Sequence, residues 1–193
     1  MGYTNYFEIK NQATQTAYNR SKAQISDLVE FAMAQGYELA DGEGKKDTKP
    51  YLTTSGELAF NGIGNDGHET FYLPKNMVKQ SYEFVKTNGK SYDAVVMASM
   101  LAMKFQMNDT IKITSDGFGW TEYNNIGWYV EQSFKDAVKL FLDHLKESNV
   151  VKDAQEYYEA FKEIIILLVK DTKHAEKFDD LQPLLAPMIK EMV

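Results

Sequence analysis

A chain of 193 residues with 44% hydrophobic and 13% aromatic side chains can bury a core of its own, which excludes a disordered polymer. A formal charge of −7 excludes the broad basic footprint of a dedicated nucleic-acid binder. The lack of cysteine excludes disulfides, thiolate metal sites and cysteine nucleophiles, and it favours a reducing compartment, here the cytoplasm.

In chain order, Tyr3 to Ile9 alternates and predicts a first strand. The start of the chain, Met1 to Tyr6, shows no basic segment followed by an apolar run, so no signal peptide is expected. Asn19 or Ser21 is expected to cap a helix running to about Gln35. Its residues Ile25, Leu28, Val29, Ala32 and Met33 recur at helical spacing, and Gly36 ends it. Tyr37 to Ala40 reads as a short strand and Asp41 to Pro50 as a mobile polar surface loop. Tyr51 to Thr54 and Leu58 to Phe60 flank a turn at Ser55-Gly56.

The stretch from Phe60 to Phe71, FNGIGNDGHETF, gathers three glycines with polar side chains between two apolar runs. Gly62 to Gly67 spells G-x-G-x-x-G. That pattern cradles a pyrophosphate only where it opens a helix, because the helix N-terminus supplies the donors. The next residues, Glu69 to Leu73, alternate and are closed by Pro74, as in a strand. The stretch is therefore expected to close a β-hairpin, with glycines that supply positive φ. Its backbone N–H groups could also form an anion-binding nest. Phe71 and Leu73 facing the core would put Glu69 on the inner side, where it needs a partner, and His68, Thr70 and Tyr72 on the other.

Ser81 to Val85 predicts another strand, Thr87-Asn88-Gly89-Lys90 a turn, and Asp93 the start of a Met-rich helix to about Gln106. Thr110 to Thr114 predicts a strand that ends in a second polar turn, Ser115-Asp116-Gly117. After Trp120 and Trp128 the remainder reads as helical, with stripes through Phe134 to Leu145, Ala154 to Val169 and Phe178 to Ile189. The third is bent near Pro183 and Pro187. His144 and His174 are expected on the surface. Ile164 to Val169, the longest apolar run, is too short to cross a bilayer and apolar on nearly every side. It must be covered either by the sheet domain with the Phe178 helix or by a second copy in a homodimer, which is the preferred expectation.

The fold class is α+β: an antiparallel or mixed sheet of about five strands, helices on one face, and a helical C-terminal extension. Residues 1–148 form the α+β domain carrying the candidate site and residues 149–193 the extension.

Several blocks together resemble a known family. Gly2-Tyr3-Thr4-Asn5-Tyr6-Phe7 resembles a G-Y-T-H-Y-W start, and Phe60-Asn61-Gly62 with Gly67-His68-Glu69-Thr70-Phe71 resembles F-N-G…H-E-T-F. Phe84-Val85-Lys86-Thr87, Tyr92-Asp93-Ala94-Val95-Val96 and Ser115-Asp116-Gly117 resemble F-C-K-T…P-Y-D-x-V-V…S-S-D-G. This is similar to a family of small proteins of bacteriophages and prophages. The resemblance spans about residues 2–120 and departs at Asn5 for His, Phe7 for Trp, Val85 for Cys and Ser91 for Pro. It implies a phage accessory protein in the host cytoplasm and no particular chemistry.

Three functions are compatible with these residues. The first is a non-enzymatic binder whose strand-end turns, through Asn61, Asp66, His68, Lys86, Thr87, Ser115 and Asp116, hold a small polar ligand such as a nucleotide signal, or a host protein. The phage resemblance would make this counter-defence. The second is a metal-dependent hydrolase using Asp66, His68, Asp116 and Asp93, although no H-x-x-x-H or H-E-x-x-H spacing nominates a ligand set. The third is an interaction protein that assembles through its C-terminal helices. No cofactor is implied, and the absence of G-x-S-x-G disfavours serine nucleophile chemistry.

Overall fold

A computed structural model describes residues 3–53, 55–121 and 127–192, without the side chains of Gln182, Ile189, Glu191 and Met192. Gly2, Thr54 and the Ile189 side chain, which the sequence assigns to a family motif, a strand and a helix face, lie outside the described residues.

The fold is α+β, with nine strands in two antiparallel sheets among the described residues. The larger sheet contains β1 (Thr4–Ile9), β6 (Tyr82–Lys86), β7 (Ile111–Ser115), β8 (Phe118–Thr121) and β9 (Gly127–Val130), in the order β6-β1-β7-β8-β9. Both β6 and β7 run antiparallel to β1, so they are parallel to each other. Helix α2 (Asp93–Met107) connects them as a split βαβ unit, with β1 inserted between its strands. The smaller sheet is built on β4 (Leu58–Gly62), which pairs with β2 (Leu39–Ala40), β3 (Tyr51–Leu52) and β5 (Phe71–Leu73).

Alternation sets the faces of the larger sheet. Phe7 and Ile9 of β1, Val85 of β6, Ile111 and Ile113 of β7, Phe118 of β8 and Trp128 of β9 are buried in the core. Helix α1 (Gln15–Ala34) and α3 (Gln132–Glu147) pack on α2 to cover that face. The intervening residues turn outward, and Tyr82, Phe84 and Lys112 are exposed. Helix α2 has no polar face, since every residue from Asp93 to Lys104 is buried.

The structure corrects several local expectations. Helix α1 begins a turn earlier than Asn19 or Ser21, at Gln15, because the Thr14 side chain accepts from the Ala17 N–H. Ser21 instead donates back to the Ala17 carbonyl from inside the helix. The Asp41 to Pro50 loop is tied down. Gly64 N–H donates to the Gly44 carbonyl at 2.8 Å, and Thr70 Oγ1 donates to the Gly42 carbonyl at 2.5 Å. The segment around Trp120 and Trp128 forms the hairpin β8–β9, with Trp120 opposite Trp128. The expected bent helix from Phe178 is instead a 3-10 segment, Ala175–Leu181, followed by α5 (Gln182–Met192), which holds Pro187 inside it.

Helix α4 (Ala154–Lys170) buries Phe161, Ile164, Ile165, Leu167, Leu168 and Val169 within this one chain. One hydrophobic core runs from Phe7 through Met188, so α4 and α5 share it with the sheet. A buried ion pair fixes the junction: Lys104 Nζ of α2 donates to Asp171 Oδ2 at 2.7 Å and to the Ile111 carbonyl at 2.8 Å. The same Asp171 oxygen accepts the Ile113 N–H at 3.1 Å.

Candidate functional site

The start of β1 lies between the ends of β6 and β7, and the polar residues singled out in the sequence collect there. Thr4 pairs with Lys86 and Asn5 with both Val85 and Ser115. Asn5 occupies an inward position two residues before Phe7, and Ser115 one two residues after Ile113. Alternation thus carries both polar side chains into the interior, where each needs partners. Asn5 Nδ2 donates to Asp93 Oδ1 at 2.7 Å, and Ser115 Oγ donates to Asn5 Oδ1 at 2.6 Å. Thr87 Oγ1 donates to the same Asp93 oxygen at 2.5 Å, and Gly117 N–H donates to Ser115 Oγ at 3.0 Å. Asn5 and Thr87 are fully buried, Asp93 is 1% exposed and Ser115 8%. Asp93 opens α2, so the helix N-terminus adds to the two donors that hold its carboxylate.

Tyr3 closes the inner side of this network. Its hydroxyl accepts from Ser133 Oγ at 2.9 Å and stands where a side chain on Gly117 would have to go. Burial pushes the Tyr3 hydroxyl up to about 12. The Ser133 bond acts against the rise, and the charges of Asp93, Glu131 and Asp116 add to it.

The Phe60–Phe71 stretch closes the β4–β5 hairpin, with Phe60 opposite Phe71. A single 3-10 turn, Gly64–Asp66, replaces the helix that a dinucleotide site would need. Only Gly64 of its three glycines has positive φ. Gly62 and Gly67 are required because a side chain on either would strike the other end of the loop, the Asp66 carbonyl and the Gly62 carbonyl respectively. Asn61 braces the loop from within: its Oδ1 accepts from the N–H groups of Gly62 and His68, and its Nδ2 donates to the carbonyls of His68 and Gly42. All its bonding capacity is spent on the backbone, so Asn61 positions the loop and offers nothing to a ligand.

The loop docks on the end of β6. Glu69 N–H donates to the Lys86 carbonyl at 3.1 Å, and Lys86 N–H donates to Glu69 Oε2 at 2.7 Å. His68 Nδ1 lies 3.0 Å from that carbonyl, and the buried Tyr92 hydroxyl donates to the Glu69 carbonyl at 2.8 Å. Glu69 therefore has a partner, a backbone donor rather than a cation, but the bond is exposed and not in the interior that the alternation assigned to it. On the β7 side, Thr4 N–H donates to Asp116 Oδ2 at 2.9 Å and Asp116 N–H to the Thr4 carbonyl at 3.0 Å.

Of the residues nominated from sequence, His68, Lys86 and Asp116 thus form an exposed rim, Thr87 and Ser115 lie buried beneath it, and Asn61 braces the hairpin. Asp66 does not join them. It is exposed on the far side of the loop, in a shallow recess with Gln35, Gly36, Tyr37, Glu38 and Ser91. Among the described residues no group of three or more His, Asp or Glu side chains could hold a metal ion, so Asp66, His68, Asp116 and Asp93 do not form a ligand set. His144 corrects another expectation: it is 5% exposed against Phe31, and desolvation lowers its pKa despite Asp27 nearby.

Asn5, Glu69 and Tyr92 were not nominated for the site, and Asp93 entered only in the hydrolase set. A polar residue in phase with Phe7 and Ile9 was the available signal for Asn5. The rim presents an imidazole, an ammonium and a carboxylate on a rigid base, a set suited to a small polar ligand with groups of both signs. No family model, curated protein or solved structure matches the chain.

Proposed function

We propose that the protein is a non-enzymatic binder of a small polar ligand, a nucleotide signal, held at the rim formed by His68, Lys86 and Asp116. The observation that carries this is the rim's construction. Exposed Lys86 and Asp116 directly adjoin Thr87 and Ser115 of a buried layer completed by Asn5 and Asp93, Asp116 is tied to the Thr4 backbone, and His68 Nδ1 lies 3.0 Å from the Lys86 carbonyl. A nucleotide suits the rim because the Lys86 ammonium, 5.3 Å from the Phe84 ring centroid, can pair with phosphate. The same outward face of β6 and β1 carries Phe84 and Tyr82, 48% and 62% exposed, with Tyr6 stacked on Tyr82 at 6.0 Å. Exposed rings beside a cation form a surface on which a base can stack. The phage-family resemblance makes sequestration of a host signalling nucleotide, as counter-defence, the biological form of this proposal.

Thermal shift against a nucleotide panel tests it. A nucleotide should raise the melting temperature of the wild type and of Asp66→Ala, and the rise should disappear in His68→Ala and Lys86→Ala. No response to any nucleotide, or an equal response in the rim variants, overturns the proposal. A response to divalent metal lost in His68→Ala would support the hydrolase instead.

A further inference from the structure

A cavity lies on the inner-face side of the larger sheet, between β5 and β6. These strands are joined at Glu69 and Lys86 and form no ladder beyond that point among the described residues. The gap encloses about 270 Å³. Its floor is apolar and buried, made by Phe7 and Ile9 of β1, Tyr18 of α1 and Leu73 of β5. Tyr72 and Val78 stand at the mouth, 45% and 55% exposed. Glu83 is the one charged residue lining it, and its pairing with inward-facing Phe7 directs its side chain to the cavity side of the sheet. Tyr18 donates its hydroxyl to the Pro74 carbonyl at 2.9 Å. Its pKa is raised by burial, with Tyr72 and Glu83, which line the same cavity, adding to the effect.

The chemistry of the lining selects an occupant. The volume exceeds the ~150 Å³ of an apolar cavity that takes up benzene, so one ring with a short side chain fits. Apolar walls hold water poorly and favour a hydrophobic body. The carboxylate, with no basic residue in the lining and a chain charge of −7, selects a cation and rejects an anion. The exposed Tyr72 ring offers further attraction to an ammonium, while the Tyr18 ring already has Lys22 Nζ 5.3 Å from its centroid. We propose that this cavity binds a small amphipathic amine, with its apolar body over Phe7, Ile9 and Leu73 and its ammonium paired with Glu83. The site is separate from the rim at His68, Lys86 and Asp116 and does not depend on the function proposed for it.

Phenethylamine is the probe, compared by titration calorimetry with its neutral and anionic counterparts, phenylpropanol and phenylpropionate. The amine should bind in the millimolar range or better, the alcohol about tenfold more weakly, and the acid not at all. Glu83→Gln should weaken the amine by about tenfold while leaving the alcohol unchanged. Val78→Phe should block both. Glu83 and Val78 are exposed, so both variants should keep the wild-type circular dichroism spectrum. Absence of amine binding to the wild type overturns the proposal. So does alcohol binding as tight as the amine's, or amine binding unchanged by Glu83→Gln and by Val78→Phe. Amine binding lost in Lys86→Ala but kept in Val78→Phe would place it at the rim and also overturn the proposal.

Discussion

Asn5 donates its side-chain amide to Asp93 at 2.7 Å across a sequence separation of 88 residues. With its carbonyl accepting from Ser115, Asn5 supplies one donor and one acceptor along a buried line. A neutral imidazole offers the same pair, one N–H and one bare nitrogen. Asn5→His should therefore melt close to wild type. Asn5→Leu strips partners from a buried carboxylate and a buried hydroxyl and should cost about 2–4 kcal/mol by urea unfolding. Equal destabilisation by the two substitutions would contradict the donor–acceptor account.

The Lys104–Asp171 pair should behave as a buried lock between α2 and the end of α4. Asp171→Ala leaves an ammonium that is 1% exposed without its counter-ion and also frees the Ile113 N–H, so a loss of about 3–5 kcal/mol is expected. Replacing the pair together, Lys104→Met with Asp171→Leu, should recover part of that loss. A double-mutant cycle by denaturant unfolding measures the coupling, and strict additivity of the single changes would rule out the lock.

Acid should weaken the fold through His144. Its pKa in the folded protein is lowered from 6.5, mainly by desolvation. The unfolded chain therefore binds the proton first, and stability falls as pH drops below about 6.5 towards the lower folded value, then levels off. Above that window the neutral ring carries no penalty. Melting curves between neutral pH and pH ~5 should show the fall in wild type and a shallower one in His144→Leu. Identical pH profiles would show that other groups cause the acid loss.

Glu69 should matter as an acceptor and not as a charge, since its partner is the Lys86 N–H at 2.7 Å. Glu69→Gln keeps a carbonyl oxygen there and should be nearly neutral. Glu69→Ala should cost about 0.5–1.5 kcal/mol, because the position is half-buried and water can replace part of the bond. Loss of rim ligand binding in Glu69→Ala with binding retained in Glu69→Gln would tie the loop's docking to the rim's geometry.

Local pattern was enough for much of this protein. The helical spacing of Ile25, Leu28, Val29 and Ala32, the alternation through Phe7 and Ile9, and the turn at Asn88-Gly89, where both residues have positive φ, arise from forces acting within a few residues. The same holds for the hairpin at Phe60–Phe71, since the residues after its glycines alternate as a strand. Contacts between distant segments decided the rest. The Trp-rich β8–β9 hairpin has little local signature and depends on Phe118 and Trp128 stacking over the core at 5.4 Å. The all-apolar stretch of α4 demanded cover, but only the packed chain shows that it joins the core of the same chain. Likewise His68, Lys86 and Asp116 are ordinary polar residues in sequence. Lys86 and Asp116 come to flank Thr4 because β1 runs between β6 and β7, and His68 reaches Lys86 because the β4–β5 hairpin docks on the end of β6, pairings that non-local burial selects and no local propensity encodes.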